Sequence, residues 1–413
     1  MPNEILARIL ESLQKDDVIS CRLVNKQLGA IATRQFAKRS FTKLCVSFSS
    51  YGLKALVDIC AHPELGIFVR GIGVSPIRAC ANGIRELTKS FKKSLKTGSP
   101  EEVDDAYKFL QSHIEACRDE HMLEKSGQAI HLIATALVSL RRRGVSADIS
   151  IHNGHYYKTI GWRQAYRERG YIMERKTQEH MNATIHIMFH AIFRSGCKVS
   201  NFQIEQHYYH DHQLDGLKNS IDLADSMLHA FVGLQSLELA FKKMPKQKTL
   251  DSLDLIFGHM HSLERLRIEL DCNPDSNGLN GRVATEDVLA SNTLLGSHSS
   301  ECLRQIELKN VCISKKRLVK LLKASQDCLE KLDLYYVCLR HGSWDSVLSW
   351  IVDNLHLNLL KLFALFEIDE SDPDEEGYYA SAWNDEKLGD RMLKFLGEDT
   401  VDSGLSELLS VDD

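Results

Sequence analysis

The sequence predicts an α/β protein in which a three-helix N-terminal module precedes an irregular solenoid of alternating strands and helices. Two observations support this class. Apolar residues near the N-terminus recur at helical spacing. Farther along the chain, short leucine-rich segments with strand spacing return at intervals of about 30 residues, and helical patterns lie between them.

Three short helices are expected within residues 1–40. Pro2 suits the first position of a helix, because the N–H that proline lacks would be unpaired there. The apolar stripe of this first helix consists of Ile5, Leu6, Ile9, Leu10 and Leu13. Asp16 or Asp17 can cap a second helix, and Asn25 can cap a third. Helices this short have too little core to stand alone, so we expect them to dock onto an apolar surface.

The N-terminal pattern resembles the F-box, the module that joins a substrate receptor to a cullin-type (SCF) ubiquitin ligase. The residues in register with the family pattern are Pro2, Glu4, Ile5, Leu6, Ile9, Leu10, Leu13, Asp17, Val18, Arg22, Leu23, Val24 and Lys26. The chain departs from the family at Met1, Asn25 and Leu28, where leucine, a small residue and an aromatic residue are usual. Phe36 could fill part of the missing aromatic volume. The alternative is an ordinary amphipathic helical hairpin.

The resemblance implies a Skp-type adaptor as the partner. No catalytic residue, cofactor or metal is expected, because no motif for one is complete. The residues expected to contact the adaptor are Pro2, Glu4, Ile5, Leu6, Ile9, Leu10 and Val18. Glu4 also places a negative charge in the first turn, where it favours the helix dipole. Residues expected instead to hold the helices together are Leu13, Leu23, Val24 and Leu28, although the pattern leaves the division between the two sets open.

Strand and helix patterns alternate after the module. Apolar and polar residues alternate within 41–48, which is typical of a strand, and residues 51–60 return to helical spacing. A second strand is predicted at 67–74. Later helix and strand pairs are predicted at about 128–142 with 147–151 and at about 179–195 with 199–204. Each of these two helices is followed by a glycine, the residue that favours a left-handed helix cap.

The second half of the sequence repeats a six-residue pattern with apolar residues at its first, fourth and sixth positions. We call this pattern the apolar frame. Its copies begin at Leu234, Leu263, Leu303 and Leu329, with a weaker copy at Leu359, Leu362 and Ala364. Residues Val69, Ile72 and Val74 fit the same frame. The pattern resembles irregular leucine-rich repeats, whose units must stack because none can bury its apolar faces alone. A generic α/β domain with leucine-rich strands is the alternative.

Two insertions and a tail complete the predicted organisation. Residues 76–127 and 152–178 are expected to be insertions at the ends of repeats, and Ser99, Pro100 and Glu102 form a helix-start signature in the first. The polar stretch 273–282 is expected to be a loop. Residues 367–413 are expected to form an acidic tail with a possible short helix at about 385–396. The expected domains are therefore 1–40, 41–366 and 367–413.

Composition bears on partners and compartment. The net charge of −5 argues against nonspecific binding to nucleic acid, and no apolar run reaches the length of a membrane span. The eleven cysteines are scattered and odd in number, and Cys302, Cys312 and Cys338 fall within apolar patterns. This usage is typical of buried thiols in a reducing compartment, so we expect a cytosolic or nuclear protein.

Histidine clusters are the main candidates for metal chemistry. His207, His210 and His212 could bind a transition metal, but no nearby cysteine pair completes a zinc site, so a polar loop is the alternative. His186 and His190 have the spacing of a zinc-protease helix but lack its glutamate, which favours a partly buried histidine pair.

No catalytic motif is complete, so a hydrolase or transferase is the least favoured function. The leading hypothesis is a substrate-recognition subunit of an SCF-type ubiquitin ligase, whose repeats bind an unknown target protein. The alternative is a repeat scaffold that binds proteins without recruiting a ligase. Taken whole, the chain resembles the divergent F-box proteins of filamentous fungi.

Overall fold

The computed structural model contains two compact units, Met1–Val199 and Ser200–Asp413. The residues that it describes are 2–79, 81–152, 159–161, 177–205, 229–241, 260–270, 302–368, 380–382, 393–396 and 401. Each unit is described separately below.

The first unit begins with the three helices that the sequence predicts. They are α1 (Asn3–Ser12), α2 (Lys15–Cys21) and α3 (Lys26–Ser40). The side chain of Asn25 caps α3 by accepting a hydrogen bond from the backbone N–H of Leu28 at 2.8 Å, as its position before the helix predicts. Both α1 and α2 pack against α3.

Parallel strands and further helices form the rest of the first unit. In chain order the elements are β1 (Lys43–Val46), α4 (Ser50–Ala61), a 3-10 turn (Gly66–Phe68), β2 (Gly71–Val74), α5 (Ala81–Thr97), α6 (Pro100–Lys125), α7 (Gln128–Arg142), β3 (Ala147–His152) and α8 (Thr177–Ser195). The strands lie in the order β1-β2-β3, with Leu44, Ile72 and Ile149 in register. The strand predicted at 67–74 starts late, because the 3-10 turn takes up its first residues.

Helix ends follow their local sequence signals. Ser99 and Glu102 form a capping box at the start of α6, so most of the predicted insertion 76–127 is the helical hairpin of α5 and α6. Gly144 and Gly196 follow α7 and α8 with φ angles of 70° and 60°, which confirms the predicted left-handed caps. The insertion predicted at 152–178 lies mostly outside the described residues.

The second unit contains two sheets. Its elements are β4 (Val199–Glu205), β5 (Ser236–Phe241), β6 (Arg265–Leu270), β7 (Gln305–Lys309), β8 (Cys312–Ser314), α9 (Lys315–Ala324), β9 (Lys331–Tyr335), β10 (Cys338–Arg340), α10 (Trp344–Asn354), β11 (Leu359–Phe363), β12 (Phe366–Ile368), β13 (Ala380–Ala382) and β14 (Leu393–Leu396). In the larger sheet β4, β5, β6, β7, β9 and β11 are parallel, and β14 pairs antiparallel with β11. In the smaller sheet β8, β10 and β12 are parallel and β13 is antiparallel.

The repeated apolar frame corresponds to the buried face of the larger sheet. The second frame positions align across neighbouring strands at Leu237, Leu266, Ile306, Leu332 and Leu360. The last copy therefore runs through Leu357, Leu360 and Leu362, all fully buried, and the frame assigned to Leu359, Leu362 and Ala364 is wrong. A frame starting at Leu359 would place half-buried side chains where the sheet needs buried ones.

A repeated corner follows each of the last three strands of the frame. Asn310, Tyr336 and Ala364 have φ angles of 54°, 52° and 48°, a left-handed conformation that is uncommon outside glycine. The residues that come next, Val311, Val337 and Leu365, are buried, and the corners turn the chain from the larger sheet into the smaller one. The three corners share one backbone geometry although their residues differ.

The C-terminal region contains more strand than the sequence suggests. Glu367, where the acidic tail was expected to begin, lies in β12 and accepts a hydrogen bond from the backbone N–H of Trp344. The helix expected at about 385–396 is wrong for its last four residues, because Leu393–Leu396 form β14. The loop predicted at 273–282 lies outside the described part of the chain, as do all tail residues except 367–368, 380–382, 393–396 and 401.

Candidate functional site

The N-terminal helices share a small apolar core. Its buried members are Leu10, Val18 and Ala32, and the residues that pack against them are Leu13, Cys21, Leu28, Ile31 and Phe36. Phe36 contributes an aromatic ring to this core, as expected if it fills part of the volume that the leucine at position 28 leaves. The core fixes which faces of α1 and α2 remain available to a partner.

Two residues predicted to contact the adaptor lie inside this core. Leu10 and Val18 are each 1% exposed, so a docked protein cannot touch them unless the helices separate. Conversely, Leu23 and Val24 were expected to hold the helices together, yet they are 88% and 65% exposed. They lie in the turn after α2, where their backbone N–H groups bond to Ser20 and Cys21 and their side chains are left largely exposed. The burial of these two pairs is therefore the reverse of what the sequence pattern suggests.

The other predicted contact residues lie at or near the surface of α1. Ile5 and Ile9 are 48% and 45% exposed and share one helix face, because they are four residues apart. Pro2 precedes Ile5 by three residues and is also exposed. Glu4 is exposed in the first turn, whereas Leu6 is half-buried.

Polar contacts fix α1 at both ends. Gln27 donates a hydrogen bond from Nε2 to Oδ1 of Asn3 at 2.8 Å. At the other end the Arg39 guanidinium donates to the carbonyls of Leu10 at 3.0 Å and Leu13 at 2.7 Å, and also to that of Glu11. Arg39 therefore satisfies carbonyls that the end of a helix leaves unpaired. This arrangement holds the exposed face of α1 in one orientation.

A close approach positions the turn that carries Leu23 and Val24. A Cβ atom added to Gly29 would lie 2.9 Å from the backbone oxygen of Arg22. The Arg22 side chain lies over the ring of Phe36, with Cζ 5.0 Å from the ring centroid, and donates to Oγ1 of Thr33 at 3.2 Å. The residue at position 29 must be small for α3 to pack this closely against the turn.

The histidine candidates give no metal site among the described residues. The rings of His186 and His190 lie 4.1 Å apart between centroids, and partial burial lowers the pKa of each. They form the partly buried pair that the sequence favours. No cluster of three or more metal-ligating side chains occurs in the described ranges, and His207, His210 and His212 lie outside them.

The described cysteines form no disulfide with one another. Cys60 and Cys197 are buried, and burial raises the pKa of the Cys60 thiol to about 12. Cys302 is exposed, so its predicted burial is wrong, and the side chain of Cys312 is not described.

None of the helices that the structure describes is both long and apolar enough to cross a membrane.

Comparison with known proteins identifies the N-terminal module. No curated protein matches the chain. A family model does match, and it is the model of the F-box domain. The match covers residues 1–38, which include α1, α2 and all but the end of α3. The module that exposes Ile5, Ile9, Leu23 and Val24 is therefore similar to an F-box domain.

Proposed function

We propose that this chain is a substrate-recognition subunit of an SCF-type ubiquitin ligase. The observation that carries the proposal is the F-box match over residues 1–38 together with apolar side chains that this module leaves exposed. An F-box domain suggests a role as a ligase adaptor in general terms. Two further parts of the proposal name the residues that dock to the adaptor and the part of the chain that binds the target.

The docking face that we propose consists of Pro2, Ile5, Ile9, Ile19, Leu23 and Val24, with Glu4 and Leu6 beside it. Each of these six residues is exposed. Exposed apolar side chains on a small helical module favour burial against a partner. Leu10 and Val18 are buried in the core of the module, where they hold the helices together, and they do not contact the adaptor themselves.

We propose that the second unit binds the target through irregular leucine-rich repeats. The supporting observation is the common unit of strand, left-handed corner and short strand, with α9 and α10 joining successive units. Regular repeats of this kind place asparagine after the strand. Val311, Val337 and Leu365 take that position here and are buried, so apolar packing replaces an asparagine ladder.

The domain organisation that we propose places the docking module at 1–40 and the repeat region from residue 41 onward, with target binding in its second-unit part. The paired strands β13 and β14 extend this region beyond residue 366. The chain then acts by proximity. It raises the effective concentration of target lysines near the ubiquitin-carrying enzyme and breaks no bond itself. Such a receptor works in the cytosol or the nucleus, where the ligase assembles.

The proposal is tested by co-purification of full-length variants with a Skp-type adaptor. Ile5→Asp combined with Ile9→Asp puts two charges on the proposed face and is expected to abolish co-purification. Ile67→Asp is the matched control, because Ile67 is 44% exposed in the 3-10 turn, outside the module. If the double variant retains wild-type levels of adaptor, the docking assignment is wrong. If wild-type protein captures no adaptor, the ligase role is wrong and the scaffold alternative is favoured.

A further inference from the structure

The face of the larger sheet opposite its buried leucines carries a row of charged residues. Along β5, Leu237 and Leu239 are buried, so Glu238 between them projects to the other face. Strand register continues this row across β6, β7, β9 and β11. Its members, in spatial order, are Glu238, Arg267, Glu307, Asp333 and Lys361.

Charge signs alternate along this row except at one position. Arg267 Nε lies 3.4 Å from Oε1 of Glu307, and Lys361 Nζ lies 3.0 Å from Oδ2 of Asp333. Glu307 and Asp333 are direct register partners, so a second carboxylate stands where alternating charge signs would place a cation. Like charges directly opposite each other destabilise a sheet.

The neighbouring row, which contains Glu269 and Lys309, includes a carboxylate whose charge is balanced by cations. Glu269 accepts hydrogen bonds from Arg267 at 2.8 Å and Lys309 at 2.5 Å. Burial alone would raise the pKa of Glu269, but these two cations hold it below its usual range. Burial raises the pKa of Glu307, and the charge of Asp333 adds to that rise against the opposing effect of Arg267. Lys309 bonds Glu269, so each carboxylate of the Glu307–Asp333 pair has a single cation partner, Arg267 for Glu307 and Lys361 for Asp333.

The atom Oδ1 of Asp333 gives a second, independent sign of a missing donor. Asp333 is 4% exposed, and its Oδ1 is buried with no hydrogen-bond partner among the described residues. Buried carboxylate oxygens are normally satisfied, and one that is not needs an explanation. A donor at this position would satisfy the oxygen and restore the alternation of charge.

Two aromatic residues occupy the adjacent row on the same face of the sheet as the two carboxylates. Tyr335 is two residues beyond Asp333 on the same strand face, and it is in register with Phe363 of β11. The rings of Phe363 and Tyr336 meet edge to face with centroids 5.0 Å apart. Aromatic faces next to carboxylates attract ammonium and guanidinium groups more than neutral groups.

We propose that the site formed by Glu307, Asp333, Tyr335 and Phe363 binds a lysine or arginine side chain of a target protein. The inference rests on the proposed function in one respect, namely that the bound protein is a ligase target. The incoming cation first meets Glu307, which is partly exposed, and donates to Oδ1 of Asp333 once the Lys361 side chain shifts aside. Its charge fills the gap in the row.

The first test selects random phage-displayed dodecapeptides on the full-length protein. Peptides that contain lysine or arginine are expected to be enriched, and replacing that residue with glutamine is expected to weaken binding about tenfold or more. Glu307→Gln and Asp333→Asn are expected to cause a similar loss. Glu238→Gln is the matched control in the same row and is expected to keep binding. Enrichment of peptides without basic residues, no enrichment, or binding unchanged in both site variants would overturn the proposal.

The second test needs no peptide and protects the first against misfolding. Because Glu307 lies opposite the like charge of Asp333 and has only a 3.4 Å ion pair with Arg267, Glu307→Gln is expected to raise the melting temperature of the free protein. Glu269→Gln, which loses two closer cation contacts, is expected to lower it. A fall with Glu307→Gln contradicts the charge gap. Adaptor capture by these variants separates the two proposals: retained capture with lost peptide binding supports both. Retained capture with unselective peptide binding overturns only the cation site, and peptide selectivity without capture overturns only the ligase role.

Discussion

Neighbouring residues Ile9 and Leu10 are expected to have separable effects, one on partner binding and the other on stability. Leu10 is buried in the module core, so Leu10→Ala is expected to lower its unfolding free energy by about 2–5 kcal/mol. Ile9 retains 45% exposure, which leaves about half of its side chain to be buried by a partner. Since full burial of such a side chain contributes about 1.5–3 kcal/mol, Ile9→Ala should cost about 0.7–1.4 kcal/mol of binding. That is a weakening of roughly three- to tenfold.

Hydrogen exchange and adaptor titration together measure the two effects in the full-length chain. Leu10→Ala is expected to speed amide exchange in α1, α2 and α3 while leaving α4 unchanged as an internal reference. Ile9→Ala is expected to leave exchange as in the wild type and to raise only the dissociation constant. Faster exchange with Ile9→Ala, or wild-type exchange with Leu10→Ala, would refute the division of α1 into a buried and a docking face.

Three further predictions follow from packing and burial. Leu360→Asp is expected to prevent folding of the second unit, whereas Leu359→Asp is expected to be tolerated, because only Leu360 of the two is fully buried in the sheet. Circular dichroism measures both effects, and an equal loss of folded structure in the two variants would contradict the strand register. Burial raises the pKa of Glu120 to about 8, so the folded chain keeps a proton that the unfolded chain releases above its ordinary value of 4.5. Stability should therefore fall as pH rises through that window in denaturant titrations, and Glu120→Gln should flatten the slope. Gly29→Ala should destabilise α2 and α3 by about 1–3 kcal/mol despite the better helix propensity of alanine, because its Cβ would contact the backbone oxygen of Arg22. Amide exchange in these helices should become faster, and unchanged exchange would contradict this contact.

Local signals in the sequence are enough to predict many of the elements. Glycines after α7 and α8 and the capping box of α6 depend only on neighbouring residues, so they are readable without tertiary context. The last repeat is different. Residues 355–362 hold leucine at 355, 357, 359, 360 and 362, so several frames fit equally well. Only pairing with β9 decides among them.

The exposed face of α1, on which the proposed docking face lies, was only partly predictable for a related reason. Apolar residues of α1 cover two adjacent helix faces, and the position of α3 decides which face is buried. The spacing of Ile5, Ile9 and Leu10 does not contain that information. The role of Arg39 carries no local signal either, because it bonds carbonyls of Leu10 and Leu13 far back in the chain. The left-handed corners at Tyr336 and Ala364 occur at residue types that do not favour them.

Site-specific photocrosslinking tests the central claim, that α1 presents a docking face to a Skp-type adaptor, most directly. A photoreactive residue in place of Ile9 in the full-length chain is expected to crosslink to purified adaptor. The same residue in place of Ile67, which has nearly equal exposure outside the module, is expected not to crosslink. No crosslink at position 9, or equal crosslinking at both positions, would contradict the proposed docking face.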